Sequence, residues 1–437
     1  MSLYSNFFYS NEVTEIFSDK NTIAHLLNVE AALAKAQAKL NLIDVSHAII
    51  IENCCKVESI DLEKLKKEIK LGGNAAIPLV QQLTKAVKLI DFEASKFVHY
   101  GATSQDIVDT ATVLQIKNYL GFLNSKLEIL IDDLLKLAGE HKNSILIGRT
   151  LLQQAKPITF GLKICGWAEA LIRTKTRLHE MENRLFVIQL GGAVGSENSK
   201  INNEIKENFA DILGLKNCNT WAANRDNFTE LASNLGIITG TIAKMATDLA
   251  FMMQTEVAEV FEGAAEGKGG SSTMPHKRNP VTIAAILANC SRIPHLVGNM
   301  MAQMPHVHER SAGLWHSEWE LLTDIMKLAG GTIEKAVDLI QNLEVDINKM
   351  LSNLEITNGL IYAENVSFAL APKLGKIAAH EFTEKACKLA ISTKKHLKAI
   401  LLESNETFDN LDEIFDPKNA IGNSVSIVEK IVEKYKK

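Results

Sequence analysis

Proline is scarce in this chain, with eight residues in 437. A turn-rich β fold would use more, so long helices are favoured over a sandwich or barrel. Cysteine is sparse too. The six residues Cys54, Cys55, Cys165, Cys218, Cys290 and Cys387 show no C-x-x-C spacing and lie in apolar stretches. That pattern predicts reduced thiols and a cytoplasmic address. No block of one charge exists and the net charge is −5, so neither nucleic acid nor a membrane surface is expected as a partner. The N-terminal segment Met1–Asn6 has no basic or apolar region of a signal peptide, and no apolar run is expected to reach membrane-spanning length. There is no Walker loop, no G-x-G-x-x-G after a strand and no G-x-S-x-G elbow. His306 and His308 lack companions at ligand spacing, so no metal or organic cofactor is expected.

What is present is a soluble-protein composition, 46% hydrophobic and 23% charged, in a chain long enough for two or three domains. Leucines and their neighbours recur at steps of 4 and 3 from Ile116 to Leu137, Phe160 to Leu185 and Leu231 to Met252. Looser versions run from Ile283 to Met304 and Leu322 to Leu343. Such runs predict long helices that bury their stripes in a bundle, giving an all-α fold. Three helical domains are expected: 1–110, a central long-helix bundle over 111–354, and a small C-terminal domain over 355–437. In the last, Ala371–Gly375 and Phe415–Lys418 read as breakers. Several helices are apolar on more than one side, which predicts packing against copies of the chain.

The polar chemistry collects where helices break. The segment Gly267–Pro280 (GKGGSSTMPHKRNP) combines glycines, serines and the cations Lys268, Lys277 and Arg278, a composition suited to an anion. Asn279-Pro280 reads as a helix cap followed by proline at the first helical position. Thr103 followed by Asp106 is a capping-box pattern, and a helix start there could receive a carboxylate. Arg149, Arg225 and Arg310 sit at other breaks, as a polycarboxylate or phosphate ligand would require. A serine among N–H donors and lysines could work as a base rather than a nucleophile.

GSSTMPHKRNP at 270–280 resembles the hallmark loop of the fumarase/aspartase superfamily, and GATSQDIVDTA at 101–111 and GRT at 148–150 resemble two further superfamily regions. GNAAIPLV at 73–80, GRTLLQQAKPITFGLK at 148–163, GGAVGS at 191–196, QTEVAEVFE at 254–262 and HERSAGLWHSEWE at 308–320 are similar to the bacterial 3-carboxy-cis,cis-muconate cycloisomerase group. The resemblance implies a homotetramer with a twenty-helix core and active sites shared by three subunits. It implies that Ser271 is the base, that Lys277 and Asn279 act with it, and that Gly269, Gly270 and Ser272 belong to the closing loop. Thr103, Ser104 and Gln105 would receive a substrate carboxylate, with Arg149, Gln154, Arg225, Gln254 and Arg310 lining the same pocket. The implied activity is cofactor-free lactonisation of 3-carboxy-cis,cis-muconate, with adenylosuccinate lyase as the alternative and a scaffold without turnover as a third reading. Two positions depart from family patterns. Leu151 stands where fumarases and adenylosuccinate lyases carry a catalytic histidine, and Gln154 where cycloisomerases commonly keep one.

Overall fold

A computed structural model describes residues 3–264, 268–270, 273–274 and 276–435. Among them helices dominate, and two small two-stranded sheets are the exceptions. The five periodic runs lie in long helices: Ser104–Glu140, Phe160–Leu185, Asp226–Met252, Val281–Gln303 and Leu314–Gln341. Periodicity is converted directly into burial. Leu120, Leu123, Leu127, Leu130 and Leu134 are each at most 1% exposed, as are Leu231, Leu235, Ile238, Ile242, Met245 and Leu249.

The chain divides into two compact units. The first comprises Met1–Leu127, Arg173–Gly240 and Ala285–Glu334; the second comprises Glu128–Ile172, Thr241–Ala284 and Lys335–Lys437. In the first unit, Ser10 and Ser18 cap the helices Asn11–Ile16 and Asp19–Lys39 through their side chains. Gly330 and Gly331 lie within the continuous Leu314–Gln341 helix for a steric reason. A Cβ on Gly331 would lie 2.0 Å from the Phe8 carbonyl oxygen, so the N-terminal segment crosses this helix at backbone contact. The Asn289 amide donates to that same carbonyl at 2.8 Å.

The second unit contains an antiparallel hairpin, Ile145–Thr150 with Gln153–Thr159, that the helical reading did not anticipate. Its turn residues Leu151 and Leu152 have φ of 50° and 65°, left-handed values usually left to Asn or Gly. Ile145 and Ile147 pack against Leu354, Ile361, Tyr362 and Ala420, which fixes the hairpin to the turns after residue 352. The C-terminal helices Ala363–Leu374 and Lys376–Thr393 share a core of Val366, Leu370, Ala379, Ala386 and Ala390.

The Ala371–Gly375 segment does separate two helices, although Pro372 itself lies inside the first, which runs on to Leu374 and stops at Gly375, φ 79°. Two local expectations need correction. The Asn279-Pro280 cap is displaced: the helix starts at Val281, and the Glu262 carboxylate accepts from the Thr282 and Ile283 amides at 3.0 and 2.7 Å. Two helices, Asp226–Met252 and Val281–Gln303, are long and apolar enough by length and composition to cross a membrane. They pass that measure because they are apolar beyond one stripe. Ile237 and Phe251 are 44% and 49% exposed, although the opposite face of their helix is buried.

Candidate active site

In the first unit the site begins at the start of the Ser104–Glu140 helix. Asp106 is fully buried and accepts from four N–H groups, of Thr103, Gln189, Gly191 and Gly192, at 2.9–3.0 Å. It thus supplies half of the expected capping box and also ties the 191–196 loop to the helix start. Burial pushes its carboxyl above the usual range, against the pull of those donors. The Thr103 hydroxyl accepts from Arg310 Nη2 at 3.1 Å, and the same nitrogen donates to the Ala193 carbonyl at 3.3 Å. Thr103, Arg310 and the glycine loop are therefore brought together. Ser104 is half-buried at the first helical position.

Two other predicted residues point into the fold. Gln105 is 0% exposed and donates to Asp109 and to the Ala222 carbonyl at 3.0 and 2.8 Å. Arg225, 2% exposed, binds Asp109 at 2.6 Å and Glu318 at 2.7 Å, with the Trp221 and Phe228 rings 4.7 and 4.9 Å from its guanidinium. Burial works against the Arg225 charge, but the two carboxylates more than restore it. Burial in turn raises Glu318. A cavity of about 390 Å³ adjoins this cluster, and among the described residues Arg225 is the only predicted site residue on its wall.

His99 is a residue the sequence does not single out. It sits at φ 59° just before Thr103, with Nδ1 2.7 Å from the buried Glu30. Burial works to lower its pKa, but the Glu30 carboxylate outweighs that and holds it above the usual value. A histidine with left-handed backbone is a signal the sequence does not show, because φ is not written in it.

In the second unit the hairpin carries Arg149 and Gln154 opposite one another in the ladder. Arg149 binds Glu259 through both Nη atoms, at 3.0 and 2.7 Å, and its side chain remains 25% exposed. Gln154 Nε2 donates to the Asn353 carbonyl at 3.0 Å. Gln254 is exposed just beyond the Asp226–Met252 helix, and its carbonyl accepts from the Val257 and Ala258 amides. Lys163, in the first turn of the Phe160–Leu185 helix, has its pKa lowered by burial, with Asp248 opposing.

The loop after residue 264 is partly described. Gly269 has φ 70°, and its carbonyl accepts from the Asn279 amide at 2.9 Å, closing the loop's two ends on each other. A Cβ there would lie 2.7 Å from the Asn279 oxygen, so glycine is required; at Gly270 the space is open. Ser271 and Ser272 lie outside the described residues. The three cations are not equivalent. Lys268 pairs with Asp338 at 3.2 Å, and Arg278 holds Glu344 through two bonds of 2.8 Å and also donates to the Glu262 carbonyl. The expectation that all three face an anion is corrected by these pairs. Lys277 is exposed, and its ammonium has no partner among the described residues.

Known proteins place the chain. Residues 8–295 match the family model described as Lyase, and residues 359–431 that of Adenylosuccinate lyase C-terminus. The chain is 44% identical to the 3-carboxy-cis,cis-muconate cycloisomerase of Acinetobacter baylyi, over 99% of this chain and 98% of that protein. Identity to the Pseudomonas aeruginosa protein of the same name is 40%, over 99% and 96%. The solved structure of 3-carboxy-cis,cis-muconate lactonizing enzyme from Pseudomonas putida aligns with a TM-score of 0.94 at 41% identity, covering 99% of this chain and 98% of that one. The superfamily loop, the helical fold and full-length identity agree: this chain belongs to the fumarase/aspartase superfamily of lyases, beside the muconate cycloisomerases.

Proposed function

We propose that this protein lactonises 3-carboxy-cis,cis-muconate, in a cytoplasmic homotetramer with composite active sites and without a cofactor. Among the described residues, three of the predicted site cations keep N–H donors without a partner: Lys277, Arg149 and Arg310. Arg225 is consumed by Asp109 and Glu318. Three such cations equal the three carboxylates of the substrate, and that match carries the reading.

One substrate carboxylate oxygen adds to the conjugated double bond, forming the lactone C–O bond and moving the π pair to the carbon beside a second carboxylate. Ser271 delivers a proton to that carbon and regains one from solvent, so each turnover consumes one proton. Charge on the intermediate is met by Lys277 and the loop amides, interactions that strengthen as charge develops. Nucleophile and acceptor belong to one molecule, so holding its conformation supplies much of the rate. Leu151 counts against adenylosuccinate as substrate, since it cannot transfer a proton. Homo-oligomer formation is supported by apolar side chains left 44–50% exposed on the long helices, among them Ile237, Phe251 and Met301. The test is spectroscopic. Loss of the diene absorbance of 3-carboxy-cis,cis-muconate with uptake of one proton is expected; fumarate released from adenylosuccinate, with the diene untouched, would replace this reading.

A further inference from the structure

Gln154 is one of the pocket residues that the sequence resemblance implies, and its side chain cannot titrate. It is anchored instead. Its Nε2 donates to the carbonyl of Asn353, whose own side chain is buried and donates to Glu259 Oε1 at 2.9 Å and to the Val257 carbonyl at 2.8 Å. Glu259 is 0% exposed and accepts both Nη groups of Arg149. Arg149 in turn faces Gln154 across the hairpin ladder. The four residues close a circuit whose first and last members are held by the same two strands. Two backbone irregularities serve it: a register shift between Ile147 and Arg149 re-aims the arginine, and Ala258 at φ 50° turns Glu259 inward.

We propose that Gln154 is a positioning residue for Arg149, acting through Asn353 and Glu259. The inference rests on reading Arg149 as a receiver of a substrate carboxylate. A guanidinium has five donors, and Glu259 engages one on each of two nitrogens, which leaves three N–H donors on a side chain that is 25% exposed. A neutral amide keeps that orientation at every pH, whereas a histidine in this place would couple Arg149 to a titration near neutrality.

Gln154→Met keeps the length and removes both hydrogen-bonding groups. With the muconate as substrate it should raise KM about tenfold and leave kcat within about twofold, as expected when an oriented charged contact is loosened equally in ground and transition states. In an Arg149→Met background the same change should leave KM unaltered, because the group it positions is gone. A second arm needs no substrate: phenylglyoxal labelling of Arg149, read by peptide mass spectrometry, should be faster in Gln154→Met than in the parent. Asn353→Ala gives the same reading should Gln154→Met fail to fold. Unchanged Arg149 labelling, or a KM effect that survives Arg149→Met, overturns the proposal. A parent protein inactive on the muconate overturns only the substrate reading, and the labelling arm then decides this one.

Discussion

Arg225 in the first unit and Arg149 in the second read alike in the sequence: each is a cation at a break between helices, followed by polar neighbours. The fold uses them in opposite ways. Arg225 is held by two carboxylates and two aromatic rings at 2% exposure, so its charge is neutralised and its donors are used inside. Arg149 meets a single carboxylate and keeps a quarter of its side chain open. One organises the start of the long helices; the other is presented. The lesson is that a cation near a break becomes a ligand group only when the acids around it fail to consume it, and acid partners far along the chain decide that. The loop repeats the contrast, with Lys268 and Arg278 paired and Lys277 left.

The sharpest way to break this comparison is to separate chemistry from scaffold. Ser271→Ala should lower kcat by about 10²–10⁴-fold, the usual weight of a positioned acid–base group, while urea unfolding stays as in the parent. Arg225→Met should do the reverse. It strands Asp109 and Glu318 as buried charges, and about 3–5 kcal/mol of stability should be lost in the same unfolding experiment. Arg149→Met should cost about 1–2 kcal/mol, because water can reach Glu259 through the vacated, partly exposed position, but should raise KM for the muconate. If Arg149→Met proved as destabilising as Arg225→Met, the contrast would collapse.

Histidines sharpen it more gently. His99 has its folded pKa raised by Glu30, so the stability it contributes is complete below the ordinary value of 6.5 and lost as pH rises through the folded value. His306, whose side chain is 1% exposed near Glu318, has its folded pKa lowered, by burial first and by Arg225 second. Its contribution is complete above 6.5 and lost as pH falls through the interval below. Melting temperatures at pH 5.5 and 8 should therefore change in opposite senses on His99→Gln and His306→Gln. The change most confined to the loop is Gly269→Ala, which adds to about 1–2 kcal/mol of strain at positive φ a Cβ 2.7 Å from the Asn279 oxygen, so the loop's closing bond should open, seen as lower turnover with little change in melting point.

Much of the fold was legible because helical periodicity and burial are the same fact seen twice, and the five long runs show it. The hairpin was not, since its turn is Leu151-Leu152, without the Asn-Gly signal by which hairpins are read, and its strands lie inside a motif already accounted for by a glycine break. At the candidate site, the identities of Thr103, Arg149, Arg310 and Lys277 could be read from motifs. The groups that hold the polar side chains could not: Glu259, Asn353 and Asp338 lie 110, 199 and 70 residues from Arg149, Gln154 and Lys268, which they bind, and carry no local pattern. Burial of Gln105 and Arg225 escaped notice for the same reason, as only tertiary packing decides which face of a helix start turns inward.

The two sets of residues, Thr103 with Arg310 and Arg149 with the serine loop, are proposed to come from different copies and form one site. Co-expressed Arg310→Ala and Ser271→Ala chains carrying different tags, purified through both, measure this most directly. The account predicts muconate turnover well above either parent variant, because some sites in the mixed assembly receive both intact sets. Turnover no higher than the mean of the two parents would contradict it.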